Sequence, residues 1–184
     1  MSYRPLTAAA ALLVLLALIS PRPAEGQGIV RVEARAGVTY PVGDFADAGY
    51  EGGFSLGVEG FYHLRRALAL YASVSRHTFS CDGDCVFGED PQSSGVGAGI
   101  KLMIPSPADA LLWVRGGLLG FEYSDAAQSG DRSIGFEVGL GMDTLLTESF
   151  YLTPHMGYLS HEAIGGLDTS FLTFGFGVQY RFQR

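Results

Sequence analysis

The sequence predicts an all-β protein that folds as an eight-stranded antiparallel up-and-down transmembrane β-barrel. Three observations support this fold class. After residue 27, apolar and polar residues alternate with a period of two, which is typical of strands with two different faces. The alternation recurs in eight segments of about 10–13 residues, close to the roughly 9–11 that a tilted strand needs to cross a bilayer. Short and long connections also alternate, as expected when successive strands turn at opposite sides of a membrane.

The C-terminal segment shows the alternation most clearly. Apolar side chains at every second position from Leu172 to Phe182 form one face, and the residues between them form a polar and glycine-rich face. The fifth segment is the least regular, because Trp113 and Leu119 share the polar register. The eight predicted strands lie at about residues 29–40, 53–64, 67–77, 94–104, 111–121, 133–143, 150–160 and 172–182.

The lengths of the connections predict the orientation. Membrane barrels have short periplasmic turns and longer external loops. Both ends of the barrel chain are therefore expected in the periplasm, with four long loops outside. The short connections lie at residues 65–66, 105–109 and 147–149, and the long ones at about 41–52, 78–93, 122–132 and 161–169.

The apolar face is predicted to point outward into lipid, rather than inward as in a soluble lipocalin-type barrel. Glycine is frequent on the polar face, where it makes room for larger side chains inside a narrow barrel. Two charges on the apolar face, Arg76 and Glu122, lie at loop ends, where they avoid the cost of about 2–4 kcal/mol for an arginine at the bilayer midplane. The aromatic residues near strand ends are expected to form two interfacial girdles: Tyr40, Phe54, Tyr62, Phe150, Tyr158, Phe171, Tyr180 and Phe182.

The N-terminus has the pattern of a secretory signal peptide. Arg4 supplies a positive charge, and the twelve residues from Ala8 to Ile19 are all apolar. Small residues in the sequence Ala24-Glu25-Gly26 provide a cleavage site. A short membrane anchor is the alternative, but a helix needs roughly 20 residues to span a bilayer. We therefore expect a signal peptide over residues 1–26 and a barrel domain over residues 27–184.

Charge and cysteine content narrow the possible partners. The net charge is −7, and the chain has a single lysine, Lys101, so it has no basic patch that could bind nucleic acid. Export would place the two cysteines, Cys81 and Cys85, in an oxidising compartment, so we expect a disulfide between them. A structural zinc site would need more ligands than two cysteines. No cofactor is predicted.

Two short segments add a family resemblance. With the eight amphipathic segments, GVTYPVGDF (37–45) and GVQYRF (177–182) resemble the small outer-membrane β-barrel proteins of the OmpA/OmpX/OmpW type over residues 28–184. The resemblance implies insertion in a Gram-negative outer membrane, with membrane lipid, lipopolysaccharide and the barrel-assembly machinery as partners. Members of the family usually end in an aromatic residue that aids assembly, whereas here Gln183 and Arg184 follow Phe182.

The charged residues on the polar face allow two interpretations, a polar conduit or an ionic plug. We favour the plug, because eight strands enclose just enough space for side chains. Since neighbouring strands are antiparallel, residues at equal height have a constant sum of numbers, which predicts the pairs Arg35–Glu59 and Arg115–Glu137, with Lys101 and Glu33 nearby. The predicted lumen charges are Arg31, Glu33, Arg35, Glu59, Lys101, Arg115, Glu137, Asp143 and Arg181.

The long loops are strongly acidic. Carboxylates suit divalent cations, and the segment Cys81-Asp-Gly-Asp-Cys85 is the densest candidate, but it lacks the ligand spacing of a known calcium loop. The alternative, which we favour, is that the charges keep the loops solvated. The acidic loop residues are Asp44, Asp47, Glu51, Asp82, Asp84, Glu89, Asp90, Asp125, Asp131, Glu162 and Asp168.

No catalytic or metal constellation stands out. Lipid A deacylases resemble this fold, but their serine follows the histidine by two positions, where this chain has Ala163, and Ser160 precedes His161 instead. His63, His77 and His155 lie on different strands at different heights, which argues against a shared metal site. We therefore expect a non-enzymatic barrel with a structural or surface-interaction role. The alternatives are the passage of small apolar molecules and, less favoured, a lipid A-modifying enzyme.

Overall fold

The computed structural model describes residues 28–81, 92–105, 110–124, 129–162 and 168–182. The predicted signal peptide and Cys85 lie outside these residues, so the cleavage site and the Cys81–Cys85 disulfide stay predictions. In the described part of the chain the elements are β1 (Val30–Val42), α1 (Asp44–Asp47), β2 (Tyr50–Glu51), β3 (Gly53–Arg65), β4 (Leu68–Thr78), β5 (Ser80–Cys81), β6 (Gln92–Pro105), β7 (Ala110–Ser124), β8 (Ser129–Leu145), β9 (Phe150–Glu162) and β10 (Asp168–Arg181).

Eight of these strands form one closed antiparallel barrel, which confirms the predicted fold class. Around the barrel the order is β1, β3, β4, β6, β7, β8, β9 and β10, and β10 pairs again with β1. Several strands extend further toward the loops than predicted; β8, for example, begins at Ser129 rather than near residue 133. The strand prediction stopped where the apolar alternation stops, whereas the backbone ladder continues beyond it.

The register shows how strongly the strands are tilted. A row of paired residues that starts at Arg31 on β1 passes once through every strand and returns to β1 at Pro41, ten residues further along. Such an offset requires strands inclined to the barrel axis, by roughly 35–45° in barrels of this kind. The barrel is therefore narrow, and side chains from several strands meet near its axis.

The two faces of the strands differ as predicted. The outward apolar side chains Ile134 and Leu118 are 80% and 67% exposed, whereas the inward side chain of Trp113 is only 1% exposed. An aqueous solvent would penalise such an outer surface, and lipid accepts it. The girdle prediction is wrong for Phe171, which is 0% exposed and points into the barrel.

No helix in the described ranges is long and apolar enough to cross a bilayer.

The first external loop folds into the mouth of the barrel, which the sequence did not predict. Its helix α1 buries Phe45 in a cluster with Tyr50, Phe79 and Phe171. The ring centroids of Phe45 and Phe79 are 4.9 Å apart, and those of Phe79 and Phe171 are 5.0 Å apart. We call these four aromatic residues, together with Phe121, the aromatic cap.

Two features hold the cap in place. Gly43 and Gly49, on either side of α1, have φ angles of 62° and 88°, a conformation that favours glycine. The short strands β2 and β5 pair with each other, so that Tyr50 faces Cys81. The first loop is therefore part of the folded structure rather than a freely variable tip.

We expect Phe45→Ala to destabilise the folded barrel by about 3–5 kcal/mol, because it removes a fully buried ring from the cap. Asp44→Ala, in the same helix turn but exposed, is the matched control and should change the free energy of unfolding by less than about 0.5 kcal/mol. Urea unfolding in lipid vesicles, followed by fluorescence of the single tryptophan, measures both. Equal effects of the two substitutions would show that the cap does not contribute to stability.

Candidate functional site

A network of charged side chains crosses the centre of the lumen. The guanidinium of Arg115 donates hydrogen bonds to Glu59 and to Glu137, and its Nη2 lies 2.8 Å from Glu137 Oε2. Arg35 Nη1 lies 2.9 Å from Glu59 Oε2, and Arg35 Nε lies 2.5 Å from Glu33 Oε1. We call Glu33, Arg35, Glu59, Arg115 and Glu137 the central network. Burying so many charges is tolerable because each one is paired.

Both pairs predicted from the numbering of the antiparallel strands are in contact. Within each pair, however, the two residues are not directly opposite but diagonal to each other. On the backbone, Glu59 lies opposite Glu33, and Glu137 lies opposite Gly117. The arginines are long enough to reach an acid two residues away along the neighbouring strand. Arg115 also bonds Glu59, a cross-lumen contact that the sequence did not predict because β3 and β7 are not adjacent.

Two uncharged residues complete the hydrogen bonds of the acids. The hydroxyl of Tyr71 donates to Glu137 Oε1 at 2.5 Å, and Nε2 of Gln179 donates to Glu33 Oε2 at 3.0 Å. Sequence reasoning missed both roles. The available signal was their place on the polar register of their strands, where a tyrosine and a glutamine face the lumen.

Lys101 does not join the central network as predicted. It lies directly opposite Arg115 on the neighbouring strand, and its ammonium instead binds Asp143, 3.2 Å from Oδ1. Trp113 Nε1 donates to the same oxygen at 2.8 Å, and Lys101 Nζ lies 4.3 Å from the centroid of the Trp113 ring. Lys101 extends toward Asp143 because the carboxylate attracts its ammonium, whereas the like charge of Arg115 repels it.

Arg31 and Arg181 lie nearer the periplasmic end. Arg31 Nη1 donates to Gln179 Oε1 at 2.8 Å and lies 3.5 Å from Asp143 Oδ2. Arg181 was expected in the plug, but its Nη1 contacts the Tyr151 hydroxyl at 3.3 Å, at the periplasmic end of β10. Asp143 thus connects Arg31 and Lys101 in a second layer of charge below the central network.

The lumen glycines make room for these large side chains, as the sequence analysis predicted. A methyl group added at Gly117 would overlap the Tyr71 hydroxyl and lie 2.6 Å from the carbonyl oxygen of Ala98. One added at Gly141 would overlap the Trp113 ring, and one added at Gly177 would overlap the Glu33 carboxylate. Each glycine therefore accommodates a neighbour that carries part of the polar network.

The serine and histidine of the Ser160-His161 segment lie apart. His161 is buried near the external mouth, where Ser93 Oγ lies 3.3 Å from Nε2 and Ser133 Oγ lies 3.2 Å from Nδ1. Ser160 instead accepts a hydrogen bond from Ser170 Oγ at 3.0 Å. Successive residues of a strand point to opposite faces, which explains this separation. Across the described ranges, no group of three or more His, Cys, Asp or Glu side chains is arranged to hold a metal ion.

The sequence profile of the family described as outer membrane protein beta-barrel domain matches residues 9–182. The chain belongs to this family. Membership of this family implies that the protein lies in the outer membrane, which agrees with its outward apolar face. No curated protein matches the sequence.

Solved structures of other outer-membrane barrels share the fold of this protein. Neisserial surface protein A is 19% identical, with a TM-score of 0.67 over 83% of this chain and 97% of that one. The N-terminal β-barrel domain of Pseudomonas aeruginosa OprF is 19% identical, with a TM-score of 0.56 over 86% and 100% of the two chains. OprG from Pseudomonas aeruginosa is 14% identical, with a TM-score of 0.57 over 86% and 97%. At these identities the likeness concerns the fold alone.

We expect Gly117→Ala to destabilise this outer-membrane barrel by about 1–3 kcal/mol, because the added methyl group overpacks the lumen against Tyr71 and Ala98. Gly116→Ala is the matched control, since a methyl group there meets only the Glu137 carbonyl oxygen, at 3.7 Å. Both changes have the same effect on backbone entropy, so the difference between their urea midpoints isolates the lumen contact. Equal midpoints would contradict the packing described for Tyr71.

Glu137→Ala should cost about 3–5 kcal/mol, because it leaves part of the Arg115 guanidinium buried without its acid. The double variant with Arg115→Ala should cost less than the sum of the single variants, since the two residues act as a pair. Glu148→Ala, in the exposed turn before β9, is the control for loss of a carboxylate and should have little effect. Additive costs in the double-mutant cycle would refute the pairing.

Proposed function

We propose that this protein is a non-conducting outer-membrane barrel with a structural or surface-interaction role, whose lumen is closed by an ionic plug. The observation that carries the proposal is the contact of Arg115 with both Glu59 and Glu137. The external loops supply the surface that meets partners, and lipopolysaccharide and the barrel-assembly machinery are the partners expected of the chain.

The positions of the network residues on the barrel support the plug. Arg35 lies on β1 and Arg115 on β7, which are on opposite sides of the eight-stranded barrel, and Glu59 on β3 contacts both arginines. The chain of ion pairs therefore spans the lumen. A permeating ion would have to separate buried pairs, and breaking one costs about 3–5 kcal/mol. The layer around Asp143 adds a second barrier below.

The described loop residues support an interaction role at the surface. Asp44, Asp47, Glu51 and Asp168 are exposed and acidic, and Phe45 anchors the first loop in the barrel. An anchored loop presents its charges in a fixed position and loses less conformational entropy on binding than a free loop. Cationic groups or bridging divalent cations of the cell surface fit such a surface. The residues Asp82 and Asp84, which the sequence analysis considered for cation binding, lie outside the described part of the chain.

Passage of small apolar molecules is the second candidate function. The aromatic cap at the external mouth favours it, because Phe45, Phe79 and Phe171 would give the entrance an apolar lining if α1 moved aside. Against it, charged layers lie below the cap, and the strand ladders are nearly continuous among the described pairs. The ladder between β8 and β9 has a gap near Pro154 with the same register on both sides, and register shifts occur only at the ends of β3 and β7. An enzymatic role is disfavoured because Ser160 and His161 belong to opposite faces of β9.

Planar-bilayer conductance tests the plug. The wild-type protein should give no steady single-channel steps. The double variant Glu59→Ala/Arg115→Ala should give steps, because it removes the ion pair that bridges β3 and β7. Arg76→Ala/Glu122→Ala, which removes an opposite pair of charges from the outer face, is the control. Steady wild-type conductance of the same size as that of the lumen variant would overturn the proposal, and uptake of an apolar dye into proteoliposomes would support the second candidate.

A further inference from the structure

The turn between β3 and β4, at the periplasmic end of the barrel, carries two adjacent arginines. Arg65 is the last residue of β3, and Arg66 follows it in the turn. Both side chains are exposed, and neither makes an ion pair or a side-chain hydrogen bond with another described residue. We call these two residues the arginine pair. Their guanidinium groups are available to a group outside the chain.

The arginine pair differs in this respect from the other arginines whose side chains the structure describes. Those arginines each contact a carboxylate, a hydroxyl or a side-chain amide of the protein, and they are Arg31, Arg35, Arg76, Arg115 and Arg181. Contacts within the fold account for them. No such contact accounts for the arginine pair, so its charges contribute little to holding the barrel together.

The arginine pair lies at the level of the lipid headgroups. Leu64 and Leu70, outward apolar side chains on either side of the turn, are 36% and 44% exposed, and Leu70 pairs with Tyr62 of the aromatic girdle. The turn itself consists of Arg66 and Ala67, which is too short to extend far from the membrane. An arginine at such a boundary covers apolar surface with its stem and keeps its guanidinium among polar groups.

We propose that the arginine pair binds the headgroup of an anionic phospholipid in the periplasmic leaflet. A guanidinium donates paired hydrogen bonds that match the free oxygens of a phosphodiester. Two adjacent cations favour a headgroup with a net negative charge, because they repel the ammonium of a zwitterionic headgroup. The acyl chains of the bound lipid lie along Leu64 and Leu70. This binding depends on the place of the barrel in the membrane and not on the closed lumen.

The charges elsewhere on the two rims fit this assignment. At the external end, the exposed loop residues Asp44, Asp47 and Glu51 are acidic and repel an anionic headgroup. At the periplasmic end, the exposed Glu148 lies in the turn between β8 and β9. Two strands separate that turn from the arginine pair in either direction around the barrel, so the two turns lie on opposite sides. Attraction for anionic lipid is therefore expected on one side of the periplasmic rim.

Native mass spectrometry tests the headgroup preference. The protein is released from mixed micelles with equal amounts of phosphatidylglycerol and phosphatidylcholine, and the retained lipids are counted. Wild type should retain phosphatidylglycerol about tenfold more readily, because each arginine adds to the attraction. Arg65→Gln/Arg66→Gln should lower the preference to about twofold or less.

Two control variants accompany this measurement. Arg65→Lys/Arg66→Lys keeps both charges and should keep most of the preference, whereas Glu148→Gln should not reduce it. Heat-modifiable gel mobility shows that each variant is folded. Equal preference of wild type and the glutamine variant would overturn the proposal.

The second test locates the bound lipid. In a background with Cys81 and Cys85 changed to serine, bimane is attached at Leu70→Cys, the third residue of β4, and quenched by spin-labelled phospholipids in vesicles. Spin-labelled phosphatidylglycerol should quench more strongly than spin-labelled phosphatidylcholine, and Arg65→Gln/Arg66→Gln should remove the difference. Leu152→Cys, the third residue of β9 on the opposite side of the barrel, is the control and should show no difference. The same preference at both positions would refute a site at the arginine pair.

The carboxylates of the cell wall are another class of anion on the periplasmic side. They fit less well, because the turn is short and borders exposed apolar side chains. Binding to purified cell-wall sacculi that is lost in Arg65→Gln/Arg66→Gln, with the lipid preference unchanged, would overturn the proposal in favour of that partner. Conductance tests the plug separately, so the two proposals can fail independently.

Discussion

The hydrocarbon core of a bilayer offers no partner for a backbone N–H or C=O, so the strands of this protein must satisfy one another. Closure of the barrel by the pairing of β1 with β10 meets that demand. Closure with eight strands and a ten-residue offset between Arg31 and Pro41 also makes the barrel narrow. The composition of the lumen follows from this width, because large side chains on some strands require glycine on others.

Charge inside such a lumen is stable only when it is paired. Arg115 has two acids, Glu59 and Glu137, and Asp143 is shared by Arg31 and Lys101. Three of these four pairs, all except Arg115–Glu137, connect strands that are not neighbours in the sheet, so they act as crosslinks through the barrel. In the proposed function, the same contacts that compensate the cost of burial also block the path of an ion. The stability of the lumen and its proposed closure therefore have one physical origin.

The lumen is filled by different means at its external end and at its middle. The external end is covered by the aromatic cap, which a loop supplies, and the middle is crossed by ion pairs, which the strands supply. A loop can move without breaking the barrel ladder, whereas the strands cannot. Movement of the first loop would therefore open this end of the lumen without breaking the barrel.

The number of strands, their approximate ends and their outward apolar face followed from the sequence, because a period of two and the alternation of connection lengths are local features. The pairs Arg35–Glu59 and Arg115–Glu137 also followed, since they join adjacent strands. Tertiary structure alone decided the partners of Lys101, Phe45 and His161, which depend on contacts between strands or loops that are distant in the order of the sheet. The girdle prediction for Phe171 was wrong because it relied on the position of the residue near a strand end. The alternation of β10 continues through Phe171, which shares the inward register of Thr169 and Thr173, and this register determines its face.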